Sequence, residues 1–597
     1  MAIDFPESAP PGGFWSTFGK VDQTRWVELM PVTPEDLSSA LFDIVTAHIA
    51  ARGTDAVPET TGEVPPTRPT ITVADVLVER PRNREHGDWT TNIAMKLAKS
   101  LGTNPRALAA ELAPEIEALN GIAKVDIAGS GFINITFDTA AAGEIVRTIL
   151  TQGDSYGHTS ALDGLSVNME FVSANPTGPL HLGHTRWAAL GDAIARVLSA
   201  SGAEVTTEYY INDAGNQMDN FGASVLAAAK GEPTPDGGYP GGYIQELAVN
   251  VLAQVPGLLE LPYAEAIAVA RDLGYLQQLE EIKRSLENFN VHFDVFFSER
   301  TLHVPDPVTG TSLIEQAAVR LAQQGHVYEK DDAVWVRTTD FGDDKDRVLT
   351  RGNGVVTYFA ADAAYYLNKK DRGFTEKIYL LGADHHGYVG RLKALAAAAG
   401  DDPDVNIKIL IGQLVNLNGA KLSKRAGNII ELDDLLNWVG ADALRYSLAR
   451  YPADSPLSLD GEKLRERTND NPVFYVQYAH SRTRSVAKNA AATGVDRSTF
   501  EPSLLTHETE TELLGSLQEL PRIVAQAAEL REPHRVARYL EEVAGHYHRW
   551  YASCRVLPLG DEPVTDLHRT RLWLNDATGQ VIRNGLDLLG VSAPDRM

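Results

Sequence analysis

The histidines of the segment His181-Leu-Gly-His184 have the residue type and the spacing to bind phosphate. The segment follows a predicted strand and precedes a predicted helix, and the start of a helix offers unpaired N–H groups and positive potential to an anion. Two histidines three residues apart lie on one side of the first helical turn, so both can donate to phosphate oxygens. A helix cap with two surface histidines and a metal-binding pair are the alternatives, but a metal would need further ligands.

A second cationic segment, Lys421-Leu-Ser-Lys-Arg425, lies far downstream between Gly419 and Gly427. Lys421 and Lys424, three residues apart on a loop bracketed by glycines, suit the charge that develops on a phosphorus atom under attack and on departing pyrophosphate. A short basic run on its own is more often a solvated loop. The inference therefore depends on its pairing with the histidine segment.

Asp362 is the only charged residue in the alanine-rich stretch 356–368, which is a predicted helix. A carboxylate on such an apolar helix is costly unless a cation meets it. Tyr358, four residues earlier, lies on the same face and can add a phenolic oxygen. Glu170 and Glu299 supply further carboxylates, although Glu299 on its own is better interpreted as an exposed loop acid. We therefore expect Asp362 to be buried and to meet a cation.

The elements that must position these residues alternate between strand and helix, which is typical of a doubly wound parallel sheet. Strands are predicted at 165–172, 204–210, 334–337, 347–350, 377–382 and 407–411, and helices at 185–200 and 356–370. An N-terminal α+β domain is predicted from strands at 71–76 and 131–137 and helices near 90–101 and 105–119. After about residue 430 the predicted structure is almost wholly helical.

The predicted fold class is therefore α/β, with a Rossmann-like catalytic sheet, an N-terminal α+β domain and an all-helical C-terminal domain. Residues 1–29 are aperiodic and rich in Pro and Gly, so we expect a mobile extension or a start codon assigned too early, before Met30. The predicted regions are a flexible extension (1–33), the α+β domain (34–140), the catalytic domain (141–415) with an insertion at about 222–300, the lysine-loop region (416–468) and the helical domain (469–597).

Composition excludes several classes of protein. The net charge of −26 excludes a fold-wide basic surface, so nucleic acid would have to be bound by local basic patches. The single cysteine, Cys554, excludes an intramolecular disulfide and a multi-cysteine zinc site. No run approaches 18 apolar residues and the N-terminus does not resemble a signal peptide, so we expect a cytoplasmic protein without a membrane partner.

The histidine and lysine segments together resemble the HIGH and KMSKS signatures of class I aminoacyl-tRNA synthetases, and the substitutions in them remove no catalytic group. Further segments, which extend the likeness over roughly residues 34–597, resemble the arginyl-tRNA synthetase family. They are ERPRNREHGDWTTNIAMKLAK (79–99), GSGFINITF (129–137), EFVSANPTGPLHLGH (170–184), INDAGNQM (211–218), YPGGYIQELA (239–248), GDDKDRVLTRGNGVVTYFAADAAYYLNK (342–369) and GADHHGYVGRLKA (382–394).

This resemblance implies a ligase that attaches L-arginine to tRNA(Arg) through an arginyl-adenylate, with ATP as substrate, Mg²⁺ accompanying ATP, and no zinc. A monomer is the default expectation. The implied catalytic residues are His181, His184, Lys421 and Lys424. The implied ATP site consists of these four with Pro179, Leu180, Gly183, Gly382 and Asp384. The implied arginine site has Asp362, Tyr358 and Glu299 at the guanidinium, and Glu170 and Asn175 at the amino-acid end, with Asp384 or His385 nearby.

The predicted helix at 471–488 combines aromatic and basic residues: Phe474, Tyr475, Tyr478, Arg482, Arg484 and Lys488. On residues alone, core aromatics with solvated basic side chains are favoured. The resemblance instead implies an anticodon-binding helical domain, and an N-terminal module that reaches the tRNA elbow. It also implies that tRNA must bind before arginine is activated.

Two rival functions are considered. Another ATP-dependent ligase or nucleotidyltransferase of the same fold would have no need of the long helical C-terminus. A catalytically inactive RNA-binding paralogue should have lost His181, His184 or Lys424, and all three are present.

Overall fold

The computed structural model describes residues 34–52, 70–81, 86–418 and 430–597. The chain divides into two compact units, residues 1–145 and 146–597, which are described separately. The predicted N-terminal extension and the lysine loop, with Lys421 and Lys424, lie outside the described residues. In the described part of the chain, every helix is too short or too polar to cross a bilayer.

The described residues of the first unit form a four-stranded antiparallel sheet in the order β1-β2-β4-β3, with helices packed on it. Its elements are α1 (Pro34–Arg52), β1 (Val78–Glu79), β2 (Trp89–Thr91), α2 (Ile93–Leu97), α3 (Pro105–Glu117), β3 (Ile122–Ala128) and β4 (Phe132–Phe137), and α4 (Thr139–Gln152) continues past residue 145. The apolar side chains Leu37 and Leu41 of α1 are fully buried in this core.

The strand predicted at 71–76 is wrong, because residues 73–75 form a 3₁₀ turn. The Asp75 carboxylate accepts from the backbone N–H of Thr72 at 2.8 Å and from its hydroxyl at 2.9 Å. These local hydrogen bonds compete with strand pairing, and an alternating hydrophobic pattern does not report them.

The second unit begins with alternating strands and helices and ends with helices. Its strands are β5 (Ser166–Glu170), β6 (Glu204–Ile211), β7 (Val295–Ser298), β8 (Val327–Lys330), β9 (Ala333–Val336), β10 (Arg347–Thr350), β11 (Glu376–Gly382), β12 (Ile407–Gly412), β13 (Val415–Asn418) and β14 (Leu457–Asp460). Its helices are α5 (Leu182–Ala200), α6 (Asn216–Lys230), α7 (Gly242–Gln254), α8 (Tyr263–Asn288), α9 (Arg300–His303), α10 (Leu313–Gln323), α11 (Tyr358–Asp371), α12 (Tyr388–Ala398), α13 (Leu432–Trp438), α14 (Ala441–Ala449), α15 (Gly461–Arg465), α16 (Pro472–Thr493), α17 (Glu508–Leu517), α18 (Leu520–Leu530), α19 (His534–Ser553) and α20 (Asp566–Leu588).

The described residues of this unit contain a five-stranded parallel sheet in the order β12-β11-β5-β6-β7. The chain builds the sheet outward from β5 to β7 and then returns to the other side of β5 with β11. The doubly wound fold class is confirmed. In such sheets ligands bind beyond the carboxyl ends of the strands where the order reverses, which here is between β5 and β11.

Two strands predicted for the parallel sheet lie elsewhere. β9 and β10 join β8 in a separate antiparallel sheet. The reason is the two-residue connection Asp331-Asp332, where both residues have positive φ, 54° and 56°, as a tight hairpin requires. Hairpin turns of this kind usually contain glycine, and this one does not, so the sequence pattern did not reveal it.

Two further boundaries differ from the prediction. β7 pairs in parallel with β6, so the sheet reaches into the range assigned to the insertion. The C-terminal region expected to be almost wholly helical contains β14, which pairs in parallel with β13. The helices from α16 onward pack on one another, and α5 packs against α14, α18 and α20.

Candidate active site

The two predicted phosphate-binding histidines lie at the start of α5, at the end of the connection that follows β5. His181 is the N-cap residue, and its backbone N–H donates to His184 Nδ1 at 3.3 Å. The N–H of Gly183 donates to His181 Nδ1 at 3.2 Å. The rings stack with centroids 3.7 Å apart. Because both Nδ1 atoms accept, a neutral ring in either position carries its proton on Nε2 and can donate it.

Burial keeps both histidines uncharged. It lowers the pKa of His181, and it lowers the pKa of His184 to about 3, where the neighbouring His181 contributes further. The pair therefore provides neutral donors near neutral pH, and the start of α5 supplies the positive potential. A Cβ on residue 183 would lie 3.1 Å from His181 Cε1, so glycine there lets the ring fold back.

The chain that follows the lysine loop pairs with the histidine segment. Leu182 N–H donates to Ile430 O at 3.1 Å, and Leu432 N–H donates to Leu180 O at 2.7 Å. Leu180 is buried, and Pro179 lines a neighbouring cavity that Tyr243 also lines. The residues immediately after the lysine loop are thus held against the predicted ATP site.

A cavity of about 570 Å³ lies beside His181. Its lining residues are His181, Leu182, Val415, Asn416, Leu417, Asn418, Ile430 and Ser458. Asn418 and Ile430 flank the undescribed segment 419–429, so both ends of the lysine loop reach this cavity. The structure therefore brings the two ends of that loop to one of the predicted catalytic histidines.

Glu299 is buried, with 6% of its surface exposed, which excludes the interpretation as an exposed loop acid. Burial raises its pKa to about 7, and the negative charges of Asp213 and Asp362 add to the effect. Asp213 is itself held by the hydroxyl of Ser298 at 2.7 Å and by the backbone N–H of Arg300 at 3.2 Å. His303 Nε2 lies 3.9 Å from Glu299 Oε1, but the pKa of Glu299 is raised nonetheless, so the surroundings do not fully stabilise the ionised carboxylate.

Tyr210 is a site residue that sequence reasoning missed. It hydrogen-bonds with Glu299, and its ring lies 4.5 Å from that of Tyr365 and 6.2 Å from that of Phe297. Burial and the charge of Glu299 raise its pKa, so the hydroxyl keeps its proton. Its position near the carboxyl end of β6 was the available signal, because ligands approach that edge of a parallel sheet.

Asp362 is on α11, and one-third of its side chain is exposed. Burial raises its pKa, whereas Arg391, whose Nη2 donates to Asp362 Oδ2 at 2.6 Å, opposes the rise. The Arg391 guanidinium also lies 4.3 Å from the Tyr388 ring centroid. The expected buried carboxylate is therefore partly open and already paired within the chain. Tyr358, at the first position of α11, is 73% exposed.

Glu170 is the last residue of β5, and Asn175 lies in the connection that follows this strand. Glu170 is buried and accepts from Lys369 Nζ at 2.5 Å and from Ser173 Oγ at 3.3 Å. If Glu170 binds the substrate, one of its carboxylate oxygens must accept from the substrate as well as from Lys369 or Ser173. Asn175 is exposed, and its amide donates to Gln217 Oε1 at 3.1 Å.

Gly382, Asp384 and His385 lie where β11 ends, on the other side of the crevice from the histidines. Gly382 is the last residue of the strand, and a 3₁₀ turn at Ala383–His385 follows it. The His385 ring meets the Tyr388 ring edge-on at 5.6 Å. Among the described residues, no group of three or more His, Cys, Asp or Glu side chains could hold a metal ion.

The predicted RNA-contacting residues of α16 form a half-buried aromatic surface. Arg482 donates to the Tyr478 hydroxyl at 2.6 Å, and its guanidinium lies 4.5 Å from the Tyr478 ring and 4.8 Å from the ring of Tyr551 on α19. Phe474 stacks on Tyr478 at 5.9 Å. Tyr475 joins this surface through His548, whose ring packs on both Tyr475 and Tyr478. The structure places two other residues differently: Arg484 pairs with Asp595, and Lys488 is exposed.

The sheet order, the histidine segment at the switch point and the lysine-loop ends beside it define a class I aminoacyl-tRNA synthetase. A family model for class I (R) tRNA synthetase catalytic domains matches residues 145–232 and 274–448. The arginyl-tRNA synthetase N-terminal domain model matches residues 45–137, and the DALR anticodon-binding domain model matches 476–597. The chain belongs to the arginyl-tRNA synthetase family.

Individual relatives agree with this assignment. The arginine–tRNA ligase of Renibacterium salmoninarum is 64% identical over 566 residues, which cover 95% of this chain and all of the relative. That of Pseudarthrobacter chlorophenolicus is 61% identical over 575 residues, with the same coverage. The solved arginyl-tRNA synthetase of Thermus thermophilus has a TM-score of 0.71 at 22% identity, covers 94% of this chain and all of its own, and supports the fold.

Proposed function

We propose that the crevice between β5 and β11 of this arginine–tRNA ligase holds ATP and arginine side by side. An arginine carboxylate oxygen attacks the α-phosphorus of ATP, the bond to pyrophosphate breaks, and arginyl-adenylate forms. A terminal ribose hydroxyl of tRNA(Arg) then takes the acyl group and releases AMP. The observation that carries the proposal is the incompletely compensated carboxylate pair Glu299 and Asp362 beyond the same sheet edge as the histidine segment.

For ATP, His181 and His184 would donate from Nε2 to phosphate oxygens without adding charge. Lys421 and Lys424 would stabilise the charge that develops on the phosphate as pyrophosphate leaves. Pro179, Leu180 and Gly183 would shape the approach to the start of α5, and Gly382 and Asp384 would lie against the ribose. Mg²⁺ enters with ATP as part of the substrate, because it binds mainly through phosphate oxygens and water.

For arginine, Asp362, Glu299 and Tyr358 would surround the guanidinium. A planar cation with five donors pairs with carboxylates more specifically than an ammonium does, so lysine and neutral side chains are rejected. Recognition of this kind discriminates strongly without an editing step, unlike the discrimination of a single methylene. Asn175 would hold the amino-acid end, with Glu170 and His385 nearby.

For tRNA, we propose that the α16 surface around Tyr478 and Arg482 contacts the anticodon loop. A guanidinium held between aromatic rings offers both charge and a stacking surface to unpaired bases. The first unit would contact the tRNA elbow. We place the enzyme in the cytoplasm as a monomer, in keeping with its single cysteine and with a substrate that is itself large.

The test is pyrophosphate exchange with each of the twenty amino acids, with and without tRNA(Arg). We expect exchange with arginine, and only when tRNA is present. Exchange with a different amino acid would favour another ligase of the same fold. No exchange with arginine plus tRNA would favour an inactive RNA-binding paralogue. The matched control is the same series with tRNA transcripts whose anticodon belongs to another amino acid.

A further inference from the structure

Arg186, two residues after His184 on α5, is completely buried and donates to four backbone carbonyls. Nη1 donates to Gln413 O at 2.7 Å and to Leu414 O at 3.2 Å. Nη2 donates to Pro452 O at 3.0 Å and to Ser455 O at 2.7 Å. One guanidinium therefore joins α5 to two separate segments of the chain.

This arrangement differs from an ordinary buried ion pair. Within the described residues, the hydrogen-bond partners of Arg186 are carbonyls and no carboxylate. Burial lowers its pKa to about 10, although the negative charge of Asp454 opposes the fall, so it remains charged at neutral pH. A buried cation without a directly bonded anion is costly. The planar fork of a guanidinium is what allows one side chain to reach carbonyls on two segments.

The two segments lead into the paired strands that line the cavity beside His181. Gln413 and Leu414 precede β13, and Pro452 and Ser455 precede β14. β13 pairs in parallel with β14 from Val415 opposite Leu457 to Asn418 opposite Asp460. Residues of both strands line the cavity, and its other wall is His181 and Leu182 at the start of α5.

We infer that Arg186 is a positioning residue that fixes the separation between the histidine segment and the β13–β14 wall of this cavity. The inference rests on the proposed use of the cavity for ATP. A shift of about 1 Å at such a site costs up to about a hundredfold in rate, so a tether of this kind affects catalysis without touching a substrate. The residues that receive the effect are His181 on one wall and Asn418 on the other.

The primary test is Arg186→Lys, assayed by pyrophosphate exchange at saturating tRNA. Lysine keeps the charge, but its single ammonium cannot reach all four carbonyls. We expect kcat to fall about tenfold and the KM for ATP to rise about fivefold, while the KM for arginine stays within about twofold. The matched control is Arg196→Lys, on the same helix, where the arginine pairs with Asp192 instead. We expect all its parameters to stay within about twofold.

If Arg186 only stabilised the fold, its replacement would not raise the KM for ATP more than the KM for arginine. Equal rises in the KM for ATP and for arginine, or wild-type kinetics in Arg186→Lys, would overturn the inference. Thermal unfolding of each variant reports whether it is folded. If Arg186→Lys does not fold, Asn418→Ala tests the same wall, because the Asn418 amide donates to Ser458 Oγ at 2.9 Å across β13 and β14. An unchanged KM for ATP in that variant would also overturn it.

The proposed ATP site can be tested independently of the positioning role of Arg186. If His181→Ala changes neither kcat nor the KM for ATP, the cavity beside His181 is not the ATP site and that part of the proposed function is wrong. If His181→Ala impairs exchange but Arg186→Lys and Asn418→Ala do not, the ATP site stands and only the positioning role of Arg186 is wrong.

Discussion

Arg391 donates to Asp362 across 2.6 Å, so the carboxylate assigned to the substrate's guanidinium already holds a guanidinium of the chain itself. A carboxylate on this apolar helix requires a cation, and Arg391 is that cation in the free protein. The Asp362 side chain is still one-third exposed, and Glu299 adds a second carboxylate nearby whose pKa is raised in part by the charge of Asp362. Bound arginine would therefore share Asp362 with Arg391 and add the pairing with Glu299.

The first prediction concerns pH. The pKa of Glu299 is raised to about 7, so in the free enzyme the carboxylate is protonated below that pH and ionised above it. Only the ionised form attracts a guanidinium. We expect kcat/KM for arginine to fall by up to about tenfold per pH unit below about pH 7, because this parameter reports ionisation of the free enzyme. The measurement is arginine-dependent exchange at saturating ATP and tRNA between pH 6 and pH 8.5.

The control for this prediction is Glu299→Gln, which removes the titrating group. We expect it to be far weaker than the wild type at pH 8 but close to it at pH 6, while Glu329→Gln on the exposed edge of β8 follows the wild type throughout. A Glu299→Gln profile that keeps the same acid limb would assign the ionisation to another group.

The second prediction concerns the histidine pair. Since His184 has a pKa lowered to about 3, it donates as a neutral group and should contribute no ionisation between pH 5 and pH 9. We expect His184→Ala to lower kcat for exchange about a hundredfold, in keeping with the loss of about 1.5–3 kcal/mol for a hydrogen bond to a charged group. His184→Asn retains an N–H donor and should lose less. Equal losses in the two variants would contradict a donor role.

The third prediction concerns the lysine loop, whose role is inferred from the sequence alone. Lys424→Ala should lower kcat for exchange much more than it raises the KM for ATP, because the charge it would stabilise is largest when pyrophosphate departs. Lys463→Ala, at an exposed position of helix α15, serves as the control for removing a lysine charge elsewhere. Proportionate changes in kcat and KM would indicate a loop that binds ATP without favouring the transition state.

The fourth prediction concerns tRNA. Arg482→Gln removes the cation between Tyr478 and Tyr551, so we expect the KM for tRNA in aminoacylation to rise about tenfold, with kcat recovered at saturating tRNA. Arg497→Gln is the matched control, because that arginine pairs with Asp576 away from this aromatic surface. If the two variants behave alike, α16 is not a specific RNA-binding surface.

The sequence-based predictions were most accurate where the same residues determine both the local structure and the proposed function. The N-cap and first turn of α5 are encoded within His181–His184, and the buried face of α5 follows from helical periodicity, as Leu190 and Ile194 show. Strands β11 and β12 of the parallel sheet are largely apolar runs bounded by turns, which short windows reveal. For these elements, the information needed was local.

The failures came from conformations and partners that local patterns do not carry. The hairpin at Asp331-Asp332 needs positive φ at two aspartates, and the turn at Thr72 depends on its hydrogen bonds to Asp75. Tyr210 and Arg391 reach Glu299 and Asp362 only after distant segments meet in the fold. The sequence predicted that Asp362 needs a cation. It could not identify the particular residue that would supply it.

The most direct test of the account compares arginine with citrulline, its uncharged analogue of nearly the same shape, in the wild type and in Asp362→Asn. We expect the wild type to prefer arginine strongly in kcat/KM. We expect Asp362→Asn to reduce this preference by about a hundredfold, by raising the KM for arginine with little change in the KM for ATP. Asp371→Asn, at the end of the same helix and paired with Arg320, should leave the preference unchanged. A preference for arginine that persists undiminished in Asp362→Asn would contradict the claim that this carboxylate recognises the substrate's charge.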